Sequence, residues 1–250
     1  MIEYLIVCPL VFLAGFIDAI AGGGGLISLP AYILAGIPVH FAIATNKMSS
    51  SMGTVISTYR FARKGYIKLK LAVCSVIAAL IGSPFGAMLS LKINDSYLKI
   101  LMPIILPVTA FYVLRKRDFD EKEYVENSID IKTYIKCTLI AFFIGAYDGF
   151  YGPGTGTFLI LLLTGIANLS LTTAAGTTKA INLSSNIASL VTFIINGKVV
   201  FVLGIVAGLF SIAGNYFGAG YFTKSGAKIA RPVIITVLSI FLIKILVEML

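Results

Sequence analysis

Two lysines define the chemistry this chain could perform. Lys47 and Lys179 stand in matching tetrapeptides, Ala44-Thr45-Asn46-Lys47 and Gly176-Thr177-Thr178-Lys179, inside apolar surroundings. A helix starting at Pro38 would bring Lys47 ~13 Å in at 1.5 Å per residue, near the midplane of a bilayer. Lys179 takes the same place in the second half. An ammonium at that depth costs at least ~2.5 kcal/mol, so it must face a partner or a wet cavity. The residues that follow share one spacing. Lys47, Ser50, Thr54 and Ser57 fall at i, i+3, i+7 and i+10, and Lys179, Asn182, Asn186 and Ser189 repeat those offsets. On a helix each set forms one polar face. The hydroxyls alone would suit hydrogen bonding between helices, but two midplane lysines point to binding of an anionic substrate or a counter-ion.

A second pair of features precedes each lysine. Asp18-Ala-Ile-Ala-Gly-Gly-Gly-Gly25 aligns with Asp148-Gly-Phe-Tyr-Gly-Pro-Gly-Thr155. Consecutive glycines each disfavour a helix by roughly 1 kcal/mol relative to alanine, and Pro153 removes a backbone donor. Such breaks survive in hydrocarbon only when buried or lining a cavity. Each is followed by an apolar stretch too short to span, Leu26–Ala35 and Gly156–Gly165, whose helix N-terminus would offer N–H groups and the positive dipole end to an anion. Gly24, Gly25, Thr155, Gly156 and Thr157 are the candidates for that role. No GK[ST] follows either break, which excludes a nucleotide P-loop. Three roles fit Asp18 and Asp148, which precede the breaks. They could be fixed ion-pair partners of Lys47 and Lys179, titrating groups that couple transport to a proton, or ligands of a cation such as sodium.

The elements that would hold these residues are membrane helices. The chain has 250 residues, 58% hydrophobic and only 12% charged, too few charges to cover a soluble surface. Ile67–Leu91 and Pro232–Leu250 each approach the ~20 apolar residues that cross a bilayer. The formal charge of +9 fits basic cytoplasmic loops and, without a recognition motif, gives no case for nucleic acid. Cys8, Cys74 and Cys137 lack CxxC spacing, and His40 has no HExxH context, so no metal site or disulfide framework is read. No nucleophile–base pair or metal cluster supports an enzyme. Met1–Ala21 ends in an Ala-Ile-Ala resembling a signal-peptidase site, but Glu3 replaces the basic n-region and the pattern recurs in mid-chain. It is expected to be structural.

Two repeats follow from the alignment, residues 1–114 and 133–250, joined by a charged cytoplasmic linker over 115–132. Gly65 and Gly197 close equivalent helices. Arg60, Arg63, Lys64, Lys68, Lys70, the linker, and Lys224, Lys228 and Arg231 mark one side. The alternate connections hold only Lys92, Lys99 and Lys198. By the positive-inside rule both termini face outward and the repeats are inverted, provided each glycine-broken element makes no net crossing.

IDAIAGGGGLISLP with ATNK, and DGFYGPGTGTFL with GTTK, resemble the sulfite exporter TauE/SafE family over nearly the whole chain. That resemblance implies about eight transmembrane segments and transport of sulfur-containing anions such as sulfite, thiosulfate or organosulfonates. The expectation is therefore an all-α integral membrane protein of two inverted repeats with glycine-broken helices, lying in the cell membrane. It would carry a small anion by alternating access, with no cofactor and with a proton or sodium ion as the coupling ion. The site would comprise Lys47, Lys179, Asn46, Thr178, Ser50, Asn182, Thr54 and Asn186 with the short-helix N-termini, a compact positive pocket near a pseudo-two-fold axis. An anion channel, or a transporter of another small organic anion, is the alternative.

Overall fold

The computed structural model describes residues 2–98, 100 and 130–225. Most of the charged linker and the last helix expected in each half lie outside the described residues. Every element described is helical: α1 (Ile2–Ala21), α2 (Gly25–Leu34), α3 (Val39–Arg63), α4 (Leu69–Lys92), α5 (Ile131–Phe150), α6 (Thr155–Gly165), α7 (Leu171–Ile195) and α8 (Phe201–Ser225). Among these, α1, α4 and Phe201–Phe222 of α8 are long and apolar enough to cross a membrane by length and composition. The helices α3 and α7 are equally long, but their polar faces lower their hydropathy. Large apolar side chains on α4 and α8, among them Ile77, Ile81, Phe85, Leu209 and Phe217, are exposed, as hydrocarbon-facing residues are in a bilayer protein.

Glycine contacts reveal the direction of each helix. Cβ atoms built on Gly82 and Gly86 of α4 would fall 2.3 Å from the Phe142 carbonyl oxygen and 1.8 Å from that of Ala146 on α5. On α8, Gly214 and Gly218 meet the carbonyls of Phe12 and Phe16 on α1 in the same order. Contacts that advance together along both chains mean parallel helices, so α4 runs with α5, and α8 with α1. Met48 and Met52 of α3 meet Gly204 and Gly208 of α8 in register as well. Since α3 turns back into α4 through a short loop, α1, α3 and α8 run one way and α4, α5 and α7 the other. Equivalent helices of the two halves are therefore antiparallel, and the repeats are inverted.

Packing exchanges the last described helix of each half. Helix α8 packs mainly on α1 and α3 of the first half, and α4 on α5 and α7 of the second. Two spatial bodies result, one of α1, α2, α3 and α8 and one of α4, α5, α6 and α7. They meet chiefly where α3 crosses α7. The basic residues of the α3–α4 turn and the start of α5 lie at one end of the bundle, because α4 and α5 begin together there. Lys92 and Lys198 lie at the other.

Each break turns the chain back on itself. Gly24 packs against Asp18 and the Ala14 carbonyl, while Tyr32, eight residues on, shares a buried cluster with Val7 and Val11. Helix α2 thus returns along α1, so the α1–α2 hairpin makes no net crossing. Gly22 (φ +73°) and Gly152 (φ +97°) make the turns in the left-handed region that favours glycine. The hairpins meet at their tips. A Cβ on Gly22 would lie 2.3 Å from the carbonyl carbon of Gly156, and Thr157 donates from its N–H to the Gly22 carbonyl at 3.1 Å.

Helix approach this close leaves no room for a methyl group. Gly86→Ala and Gly214→Ala should each destabilise the protein by about 1–3 kcal/mol through overpacking. Thermal unfolding in detergent measures this, and an unchanged melting temperature for both would refute the interlocked packing.

Candidate functional site

The buried charges come together at the crossing of α3 and α7, each lysine paired with the carboxylate of the other half. Lys47 Nζ lies 2.7 Å from Asp148 Oδ2 and donates to Asn186 Oδ1 at 3.0 Å. Asp148 Oδ2 also accepts from Ser185 Oγ at 2.6 Å. Lys179 Nζ lies 2.7 Å from Asp18 Oδ2 and donates in addition to the Asp18 main-chain carbonyl. The side chains of Lys47, Asp148 and Lys179 are nearly sealed from solvent, at 3%, 3% and 2% exposure. Asp18 and Asp148 stand in the last turns of α1 and α5, where the negative dipole end of a helix favours a cation. Of the three roles open to the aspartates, ion pairing is thus the arrangement observed, and the pairs run across the two bodies.

A polar cavity of ≈ 30 Å³ opens beside Lys47, space for a few waters or a compact ion. Its lining includes Asp18, Gly24, Gly25, Asn46, Lys47, Ser50, Thr54, Asp148, Thr155, Gly156, Asn182 and Asn186. Most of the residues expected from the sequence are therefore gathered at one place. An ammonium has three N–H donors; Lys47 engages Asp148 and Asn186 and also lines the cavity. Ser50 Oγ reaches Asn46 Oδ1 at 3.4 Å, and Asn186 Nδ2 donates to Asn182 Oδ1 at 3.2 Å, so neighbours within each stripe hold one another while Lys47–Asn186 joins the two stripes.

Three expected residues stand elsewhere. Lys179 does not line the cavity, because Asp18 encloses its ammonium on two sides. Thr178 is fully buried and also lies off the cavity wall. Thr157 ties the breaks together, its hydroxyl donating to the Ala21 carbonyl at 3.1 Å and its N–H to Gly22, so it offers the cavity nothing. The expectation of a compact positive pocket needs correcting too, since each lysine carries its own carboxylate and the two pairs are neutral together.

Sequence reading missed Ser28, Ser211 and Asn215, which also line the cavity. Asn215 was visible as an asparagine amid an apolar span, Ser-Ile-Ala-Gly-Asn-Tyr-Phe-Gly, a costly place for an amide. The signal was hidden because the equivalent position in the first half is Ser83.

Helices that cross a bilayer, inverted halves and a buried polar cavity where two bodies meet define a polytopic membrane transporter, a class with no call for enzymatic groups. The chain belongs to the sulfite exporter TauE/SafE family, whose profile matches residues 7–245. It is 32% identical over 237 residues to a probable membrane transporter protein of Sinorhizobium sp, covering 95% of this chain and 90% of the relative. A probable membrane transporter protein of Haemophilus influenzae is 33% identical over 225 residues, 90% of this chain and 87% of its own. The YfcA protein of Escherichia coli K12, also a probable membrane transporter, is 31% identical over 236 residues, 94% and 87% of the two chains. No solved structure matches.

Removing one partner of a buried pair leaves the other charge uncompensated. Lys179→Met alone should cost about 3–5 kcal/mol, whereas Lys179→Met with Asp18→Leu should recover most of that loss. Chemical denaturation of the detergent-solubilised single and double variants measures the difference. Equal stability of the two would show that the pair is not a structural tie.

Proposed function

We propose that the protein carries a small sulfur-containing anion, such as sulfite, thiosulfate or a small sulfonate, across the cytoplasmic membrane by alternating access. The observation that carries this reading is Lys47, a buried lysine that lines a polar cavity at the junction of two inverted bodies. A compact oxyanion offers several acceptors, and the donors around Lys47 match them: the ammonium, the hydroxyls of Ser50 and Thr54, and the amides of Asn46 and Asn182. The N-terminal turns of α2 and α6 also line the cavity and add positive dipole ends.

Asp148 and Lys47 form a neutral pair, so an incoming anion must compete with the carboxylate. Entry of a proton or a sodium ion with the substrate would compensate the charge that Asp148 then carries alone, which favours coupled transport. The bodies that rock are those of the packing, α1–α3 with α8 against α5–α7 with α4. Both cross-body ion pairs and the cavity lie on the surface between them, where motion would open the site to one side and then the other. The basic end of the bundle faces the cytoplasm and the N-terminus faces outward.

Uptake of radiolabelled sulfite, thiosulfate and a small sulfonate into proteoliposomes tests this. Saturable flux of one anion is expected, reduced at least tenfold in Lys47→Ala. Flux that rises linearly with concentration would indicate a channel, and flux that survives Lys47→Ala would move the site elsewhere.

A further inference from the structure

One polar group on the cavity wall has a chemistry that binding of an oxyanion leaves unused. Asn215 of α8 is 1% exposed and lines the cavity beside Ser211. Its Nδ2 donates to the Ser211 carbonyl, one turn back on the same helix, at 3.1 Å, and lies 3.5 Å from the Ser211 hydroxyl. Its Oδ1 is buried with no hydrogen-bond partner among the described residues. Turning the amide round would set Oδ1 against the Ser211 carbonyl, two acceptors with no proton between them. This residue of the cavity wall therefore carries a carbonyl oxygen that no described group pairs.

Packing alone gives no reason for this residue. A structural asparagine in a membrane helix hydrogen-bonds to a neighbouring helix, whereas the bonds of Asn215 stay on its own. The comparison with the other half is direct. Ser83, its equivalent on α4, donates across to the Ser185 carbonyl of α7 at 2.6 Å and is satisfied. Ala79 stands opposite Ser211 in the same alignment. Two glycines also make room for the amide: a Cβ on Gly15 would lie 2.9 Å from Asn215 Nδ2, and one on Gly53 2.5 Å from it. The glycines on α1 and α3 accommodate the amide nitrogen, while the oxygen of the same group is left unpaired by the described side chains, which is unfavourable unless a ligand supplies the donor.

We propose that Asn215 Oδ1 accepts a hydrogen bond from the substrate itself, so that the carried species is a small anion bearing an O–H or N–H group away from its charge. The proposal rests on the anion reading above and sharpens it. Lys47, Ser50 and Asn182 take the charged end, and Asn215 reads the donor. A site with a buried acceptor rejects an analogue lacking the donor, because the acceptor is then left unpaired.

Ethanesulfonate and 2-hydroxyethanesulfonate share a charged head and differ by one hydroxyl. Saturable uptake of each, radiolabelled, is measured in proteoliposomes beside that of sulfite, with thermal stabilisation of the detergent-solubilised chain as a second readout. The wild type should prefer the hydroxylated anion by about tenfold or more. Asn215→Leu should bring the two within about twofold, and Lys47→Ala should weaken both alike. Asn215→Ser, which retains an oxygen and less bulk, should keep part of the preference and covers the case in which the leucine variant fails to fold. Equal affinities in the wild type, or a preference undiminished in either Asn215 variant, would overturn the proposal and leave the anion reading intact. Saturable sulfite flux with no uptake of either sulfonate would also overturn it alone, whereas absence of saturable flux of all three anions and of stabilisation by either sulfonate would overturn both.

Discussion

A lysine in the middle of a bilayer must find a counter-charge, and much of this molecule is arranged around that need. Desolvating an ammonium is costly enough that the carboxylate opposite it has to be held at hydrogen-bonding distance. Here each carboxylate comes from the other half of the chain, in the last turn of a helix whose dipole already favours a cation. The break after that turn is part of the same solution. It allows α1 and α5 to end at membrane depth, so that their C-terminal turns point at the lysines instead of continuing to the far surface. Glycine at Gly22 and Gly152 lets the chain reverse there, and contact between the tips supplies partners for backbone groups that hydrocarbon would leave unpaired.

The sequence carries much of this in readable form because membrane burial is strict about charge. Lys47 and Lys179 stood out for their depth, the aspartates for their place before the glycines, and the stripes for their common spacing. Inverted orientation followed from lysine and arginine in the loops, and the glycine contacts report the same antiparallel relation by independent geometry. The sequence is silent about which lysine meets which carboxylate, since spacing along a chain carries no information about contacts between halves. It is equally silent about the exchange of α4 and α8, which depends on small residues of one helix matching carbonyls of another. Thr157 shows the same limit: its position in the break suggested a ligand-facing hydroxyl, and only contact with the other break reveals a tie.

Exchange of the fourth helices changes what a repeat means mechanically. Residues 1–114 and 133–250 are units of sequence, yet the bodies that pack as units each combine three helices of one half with one of the other. Parallel pairs such as α4 with α5 are close because glycine meets carbonyl oxygen along several turns, an approach that larger side chains would prevent. The surface between the bodies is built differently. It contains the α3–α7 crossing, the tips of the breaks, both ion pairs and the cavity. Apolar side chains also meet across it, Leu161 and Ala175 with Ile20 and Leu26, and Ala87 and Phe193 with Val7 and Ile43, so relative movement would act on hydrogen bonds and ion pairs and on these contacts together.

Unequal use of the two lysines bears on how such movement could proceed. Inverted repeats make the halves equivalent in sequence order, yet in this structure Lys47 borders the cavity while Lys179 is enclosed by the carboxylate and carbonyl of Asp18. Part of the asymmetry is built into composition, since α8 offers Ser211 and Asn215 where α4 offers Ala79 and Ser83. Thermodynamically, a ligand shifts an equilibrium between two arrangements only by its differential affinity for them. A cavity whose wall differs between the halves would supply such a difference, because a substrate that met the Asn215 amide in one arrangement would meet only the shorter Ser83 hydroxyl, already bonded to the Ser185 carbonyl, in the other. In the proposed carrier, symmetry of the scaffold would provide the two arrangements, and departure from symmetry at a few wall residues would decide which of them a bound anion favours.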